Sequence, residues 1–135
     1  MKKVMVLVLL SIFCVFAVSL VNAGDERFKV PRVAYLSPDN DSTVDLTGKD
    51  VLTFKWKAQP VPAGGVQNYK LVVYKGFSYD IAVKEEVDRD KYSVDVPATN
   101  FEDGAKYSWH VQQRDASNMI WSLFDSWSFK VIKKK

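Results

Sequence analysis

His110 is the only histidine in the chain, and the only cysteine, Cys14, sits inside an apolar N-terminal run. Nucleophilic catalysis of the Ser-His-Asp or Cys-His kind needs a base beside an activated hydroxyl or thiol, and no nucleophile motif accompanies His110. A zinc site of common composition needs more His and Cys ligands than this chain has. Carboxylates are the remaining candidates. Asp39-Asn40-Asp41-Ser42-Thr43-Val44-Asp45 spaces oxygen ligands at alternate positions, as a calcium loop does, so Asp39, Asp41 and Asp45 form a candidate metal set. The stretch lacks the glycine and the distal glutamate of an EF-hand, and Asx-turn residues after Pro38 explain the same composition without a cation. Asn40-Asp41-Ser42 is also an N-glycosylation sequon. Glu85-Glu86 and Asp88-Arg89-Asp90 make a second acidic stretch, read as a charged hairpin loop. A hydrolase built on carboxylates would need a groove that brings two of them together. No cofactor is expected.

Aromatic side chains offer contact chemistry instead. Without Phe13 and Phe16 of the N-terminal run, 16 aromatic residues remain. Strand alternation assigns Trp56, Tyr69, Tyr92, Tyr107, Trp109, Trp127 and Phe129 to a core. Trp121, Phe77, Tyr79 and Tyr74 are left over, and together they form a candidate set for stacking on sugar rings. Trp121 follows Met119 and Ile120 in a stretch that begins at Arg114, so Arg114, Met119, Ile120 and Trp121 form a candidate partner-binding loop. Trp121 either contacts a partner there or caps the open end of the core. His110 is expected to face solvent, on the side of its strand opposite Tyr107, Trp109 and Val111.

The elements that must hold these residues are strands. Leu52-Thr53-Phe54-Lys55-Trp56, Tyr92-Ser93-Val94-Asp95-Val96, Tyr107-Ser108-Trp109-His110-Val111 and Trp127-Ser128-Phe129-Lys130-Val131 place apolar residues at every second position. Prolines and glycines fall where that alternation stops. The pattern predicts strands over 32–36, 51–57, 68–75, 78–85, 91–96, 105–113 and 124–132. Short strands at regular spacing, with no helical period, predict an all-β fold, a seven-stranded antiparallel β-sandwich.

Three places carry a family resemblance: Phe54-Lys55-Trp56, the run from Phe101 through Asp103-Gly104 to Tyr107-Ser108-Trp109-His110-Val111, and Trp127-Ser128-Phe129-Lys130-Val131. In these the chain resembles the fibronectin type III-like modules of the immunoglobulin-like sandwiches, over residues 31–132. Phe101 and Tyr107 have the spacing of the family's tyrosine corner, in which the tyrosine hydroxyl bonds back to upstream backbone. The resemblance implies a spacer, adhesive unit or accessory domain with a protein or polysaccharide partner.

Residues 1–23 read as a secretory signal: Lys2 and Lys3, an apolar run from Val4 to Val21, and Val21-Asn22-Ala23 as a small-residue cleavage site. A membrane anchor is the alternative reading of that run. Phe13 before Cys14 argues against a lipid-attachment site. Cleavage leaves a lead-in over 24–30, the sandwich over 31–132 and a basic tail over 133–135. It also removes the cysteine and changes 19 basic against 16 acidic residues to 17 against 16. That balance gives no general pull toward nucleic acid, and no stable membrane insertion is expected after cleavage. The expectation is an exported, non-catalytic binding or structural module of the cell envelope, periplasmic or secreted. Competing readings are a carbohydrate-binding protein, which needs two of the leftover rings on one exposed face, and a small carboxylate-dependent hydrolase. For the partner-binding reading, the expected site is the sandwich end formed by residues 113–123 and 58–66.

Overall fold

Large apolar side chains at every second position need a surface to bury against, and two facing sheets supply one. The computed structural model of the chain describes residues 26–62 and 64–135. These form β1 (Ala34–Ser37), β2 (Ser42–Asp45), β3 (Val51–Lys57), β4 (Val66–Lys75), β5 (Ile81–Asp88), β6 (Ser93–Pro97), β7 (Lys106–Asp115) and β8 (Trp127–Ile132). A smaller sheet runs β1-β3-β6 and a larger one β2-β8-β7-β4-β5. The fold is an all-β sandwich, with 3-10 turns at Glu26–Lys29 and Ala98–Asn100. The expected signal and Cys14 lie outside the described residues. No helix among the described residues is long and apolar enough to cross a membrane.

Alternation in β3 buries Leu52, Phe54 and Trp56 and exposes Val51, Lys55 and Lys57. The buried side chains share one core with Tyr69, Leu71 and Val73 of β4, Tyr107, Trp109 and Val111 of β7, and Phe129 and Val131 of β8. The Phe54 ring meets Trp109 at 5.2 Å and Phe129 at 5.9 Å, both edge to face. Each such side chain contributes about 1.5–3 kcal/mol when fully buried.

Tyr107 is buried, and its hydroxyl accepts the Glu102 N–H at 2.8 Å. Phe101 packs edge-on against its ring at 5.0 Å. Between them Gly104 takes φ 75°, a left-handed conformation that suits a residue without Cβ. Its N–H donates to the Val131 carbonyl at 2.8 Å, which closes the turn on β8. Tyr107→Phe is expected to leave the Glu102 N–H unpaired and to cost about 1–2 kcal/mol in urea unfolding. An unchanged midpoint would contradict that role.

Several expectations are corrected. The described residues form eight strands and not seven, because residues 42–45 form β2 where a turn or calcium loop was expected. β2 pairs in parallel with β8, so the sandwich is not wholly antiparallel. The Asp41 N–H donates to the Ser128 carbonyl at 2.7 Å, the Ser128 N–H to Asn40 Oδ1 at 2.9 Å, and the Leu46 N–H to the Ile132 carbonyl at 2.8 Å. The expected turn is kept at Asn40-Asp41, where the Ser42 N–H donates to the Asp39 carbonyl at 3.3 Å and Asp41 takes φ 58°, while pairing along the β8 edge draws residues 42–45 into a strand. The hairpin tip lies at Gly76–Asp80, which moves Glu85, Glu86 and Asp88 out of a loop and onto the edge strand β5. Tyr92, assigned to the core, is 52% exposed, since it precedes β6 at the sheet margin, where its ring meets Tyr69 edge to face at 6.1 Å and its carbonyl accepts the Trp56 N–H at 3.1 Å. The last strand starts at Trp127, because residues 119–126 take another path.

Candidate functional site

The alternation that buries Tyr107, Trp109 and Val111 aims Lys106, Ser108, His110, Gln112 and Arg114 at the outer face of the larger sheet. Register sets Tyr74 beside Ser108, Val72 beside His110, Lys70 beside Gln112 and Asn68 beside Arg114. On β5, Ile81 stands beside Tyr74 and Lys84 beside Val72. This face was expected to be wet at His110. Instead His110 is 2% exposed. Phe124 stacks on its imidazole with centroids 3.6 Å apart and planes 12° apart, and Tyr74 lies 5.8 Å away. Burial, reinforced by the nearby Lys70 ammonium, pushes the His110 pKa down to about 4. The ring is therefore neutral near pH 7, and among the described residues its Nδ1 has no hydrogen-bond partner.

The cover over His110 is anchored on both sides. Asp115 organises a turn: its carboxylate accepts the Ser117 N–H at 2.7 Å and its carbonyl the Met119 N–H at 2.8 Å. Met119 sits at φ 58°, an uncommon conformation for a residue with a Cβ. The chain then returns along β7, where the Ser122 N–H donates to the Gln113 carbonyl at 2.8 Å and Gln112 Nε2 to the Ser122 carbonyl at 2.7 Å. Beyond Phe124, the Asp125 carboxylate pairs with Arg32 at 2.7 Å and its carbonyl accepts the Tyr35 hydroxyl at 2.5 Å. Phe124, 42% exposed, is thus held at an open surface by hydrogen bonds on either side.

Trp121 lies on the same face. It bridges to Arg114, with the Lys70 ammonium 4.5 Å and the Arg114 guanidinium carbon 5.2 Å from its ring centre. Such cation–π contacts contribute about 0.5–1 kcal/mol each at exposed sites. Trp121 is half-buried and is not part of the core cluster, so it is not a cap over the core. It lies against the outer sheet face and not at the sandwich end. Met119 is exposed and Ile120 half-buried in the turn beside it.

The remaining expected positions divide. Tyr74 shares the outer face with Trp121. Phe77 and Tyr79 project from the β4–β5 hairpin tip, Tyr79 98% exposed, and Lys106 reaches over the Phe77 ring at 5.4 Å. The loops 58–66 and 113–123 do meet: the Ala116 N–H donates to the Gly65 carbonyl at 3.1 Å, and a Cβ at Gly64 would strike the Ser117 hydroxyl. An open depression of about 540 Å³ lies at that end, lined by Val61, Val66, Tyr69, Arg89, Asp90 and Tyr92. Arg114, Met119, Ile120 and Trp121 do not line it. In the candidate calcium loop the Asp41 carboxylate accepts the Ser128 hydroxyl at 2.8 Å, and Asp45 accepts the Thr47 N–H at 2.9 Å. Among the described residues no group of three or more His, Cys, Asp or Glu is placed to hold a metal ion.

Gln113 went unnoticed in the sequence and ties this region together. It is fully buried, its Nε2 donating to the Pro31 carbonyl at 2.8 Å and the Gln59 carbonyl at 3.1 Å, while its Oε1 accepts the Gln59 N–H at 3.3 Å. The signal was a polar residue continuing the inward series Tyr107, Trp109, Val111. Phe124 had no comparable signal.

No protein family and no curated protein matches the chain. Among solved structures it is similar to a computationally redesigned β-sandwich protein, with a TM-score of 0.53 and 10% identity over 76% of this chain and 88% of that one. That likeness concerns the fold alone.

Proposed function

We propose that this chain is an exported, non-catalytic binding module of fibronectin type III-like kind, which takes a protein or polysaccharide partner of the cell envelope on the outer face of its larger sheet. One observation carries the reading: Tyr74, Phe124 and Trp121 present partly exposed aromatic surface on a single open face, and hydrogen bonds through residues 115–125 hold two of them there. Aromatic side chains fixed on a rigid surface contribute contact area without a large loss of rotamer freedom on binding. The family type is supported by the Tyr107 corner, and the non-catalytic reading by the burial of the only histidine beneath Phe124.

The test is binding of the purified module to isolated envelope fractions of the source cell. Trp121→Ala and Phe124→Ser are expected to lower retention by about tenfold or more, the scale of losing more than 1 kcal/mol at a contact residue. Leu36→Ser, on the smaller sheet, should leave it unchanged. Equal retention of all three, with folded circular-dichroism spectra, would remove the outer face from consideration. The exported product is expected to begin at Gly24, which mass spectrometry reads directly.

A further inference from the structure

Cations crowd the same face. Lys70 of β4 stands beside Glu86 of β5 and Gln112 of β7, with Lys84 and Arg114 on its two diagonals, and Lys106 and Lys130 face outward at the other end of β7 and β8. Their acidic neighbours on the face are Glu86, directly beside Lys70, and Asp88 on β5, with Asp41 and Asp45 at the far β2 edge, where the Asp41 carboxylate accepts the Ser128 hydroxyl. The ion pairs found among the described residues, Arg32 with Asp125 and Lys75 with Glu102, use none of these cations. Burial, then the charges of Lys84 and Arg114, hold Lys70 below the usual lysine range against an opposing pull from Glu86. Like charges kept this close are relieved by an incoming anion.

Rings and cations are also interleaved. Lys70 and Arg114 flank Trp121, Lys106 reaches over Phe77, and Phe124 with Tyr74 lies between those two groups. Lys70 to Tyr74 alone spans about 13 Å along β4 at strand rise, the reach of an extended chain and not of one small molecule. A polymer that offers flat apolar ring faces and carboxylates in alternation matches that order. Resting on the binding reading above, we propose that the outer face of the larger sheet binds an acidic polysaccharide, its sugar rings on Trp121, Phe124 and Tyr74 and its uronic carboxylates at Lys70, Lys84 and Arg114. The guanidinium of Arg114 spends its Nε–H on the Met119 carbonyl at 3.1 Å and keeps its terminal N–H groups for a carboxylate.

Affinity electrophoresis in polygalacturonate tests this. The native domain should be retarded, and the retardation should fade as salt rises from about 50 to 300 mM, where screening shortens the reach of charge. The double variant Lys70→Gln/Lys84→Gln and the single variant Trp121→Ala should each weaken binding by about tenfold. The lysine variant keeps the test valid should Trp121→Ala unfold. No retardation in polygalacturonate overturns the proposal. Equal retardation by dextran sulfate, unaffected by Trp121→Ala, shows charge attraction only and also overturns it. Binding to a neutral galactan that falls in Trp121→Ala but not in the lysine variant overturns the acidic ligand while the binding face stands. Retention on polyglutamate without retention on polygalacturonate points to an acidic protein partner and overturns the polysaccharide. Polysaccharide binding that neither Trp121→Ala nor Phe124→Ser alters removes both readings.

Discussion

Acidification from pH 7 to pH 4 is expected to destabilise the domain by about 3 kcal/mol through His110 alone. The imidazole is folded at a pKa of about 4 and unfolds to the ordinary value of 6.5. Between those values the unfolded chain binds the proton that the folded chain refuses. Stability is therefore fully present above pH 6.5 and falls as pH approaches 4. The cause is physical enclosure: Phe124 covers one face of the ring, Tyr74 lies beside it, and the Lys70 ammonium repels a second positive charge. His110→Phe keeps a flat ring against Phe124 and removes the titration. Urea unfolding at pH 7 and pH 4 should show a drop of about 3 kcal/mol more in the native protein than in the variant. Equal drops would mean that His110 is not enclosed as described.

Gln113→Leu is expected to cost about 2–4 kcal/mol, the sum of more than one buried backbone group left without a partner. The substitution is close in volume and apolar, so packing alone predicts little change. Hydrogen bonding predicts otherwise, because the Gln113 amide satisfies the Pro31 carbonyl and both the N–H and the carbonyl of Gln59. These bonds fasten the lead-in to β1 and the start of the 58–66 loop onto β7. Gln113→Glu separates the two effects: it keeps an acceptor for the Gln59 N–H but loses the donors. It is expected to fall at least as far as Gln113→Leu, since its charge would also be buried. Chemical unfolding of the pair decides the point, and a change below about 0.5 kcal/mol in both would count against the tie.

The parts of this fold that rest on local period were legible in the sequence. β3, β7 and β8 carry apolar residues at every second position, and the two-sheet arrangement follows from there being several such strands. The corner at Tyr107 was legible because its partners lie close in sequence. What failed depended on distant chain. β2 has a single large apolar residue, Val44, and exists because the far-off edge of β8 offers it a parallel ladder. His110 looked solvent-facing because alternation says which way a side chain points and not what lies beyond it. Phe124 supplies the missing cover after a turn whose path depends on the Asp115 carboxylate and on the clasp of Asp125 by Arg32 and Tyr35. Trp121, left over by strand alternation, lies outside the core cluster. Its placement against Lys70 and Arg114 needed the cross-strand register of β4 and β7.

Binding at the outer face of the larger sheet is read residue by residue in an NMR titration with polygalacturonate. Perturbations are expected at Lys70, Tyr74, Lys84, Arg114 and the Trp121 indole, with the His110 ring shifting through Phe124. Perturbations confined to Val61, Val66, Arg89 and Tyr92 would place binding in the depression at the sandwich end and contradict it.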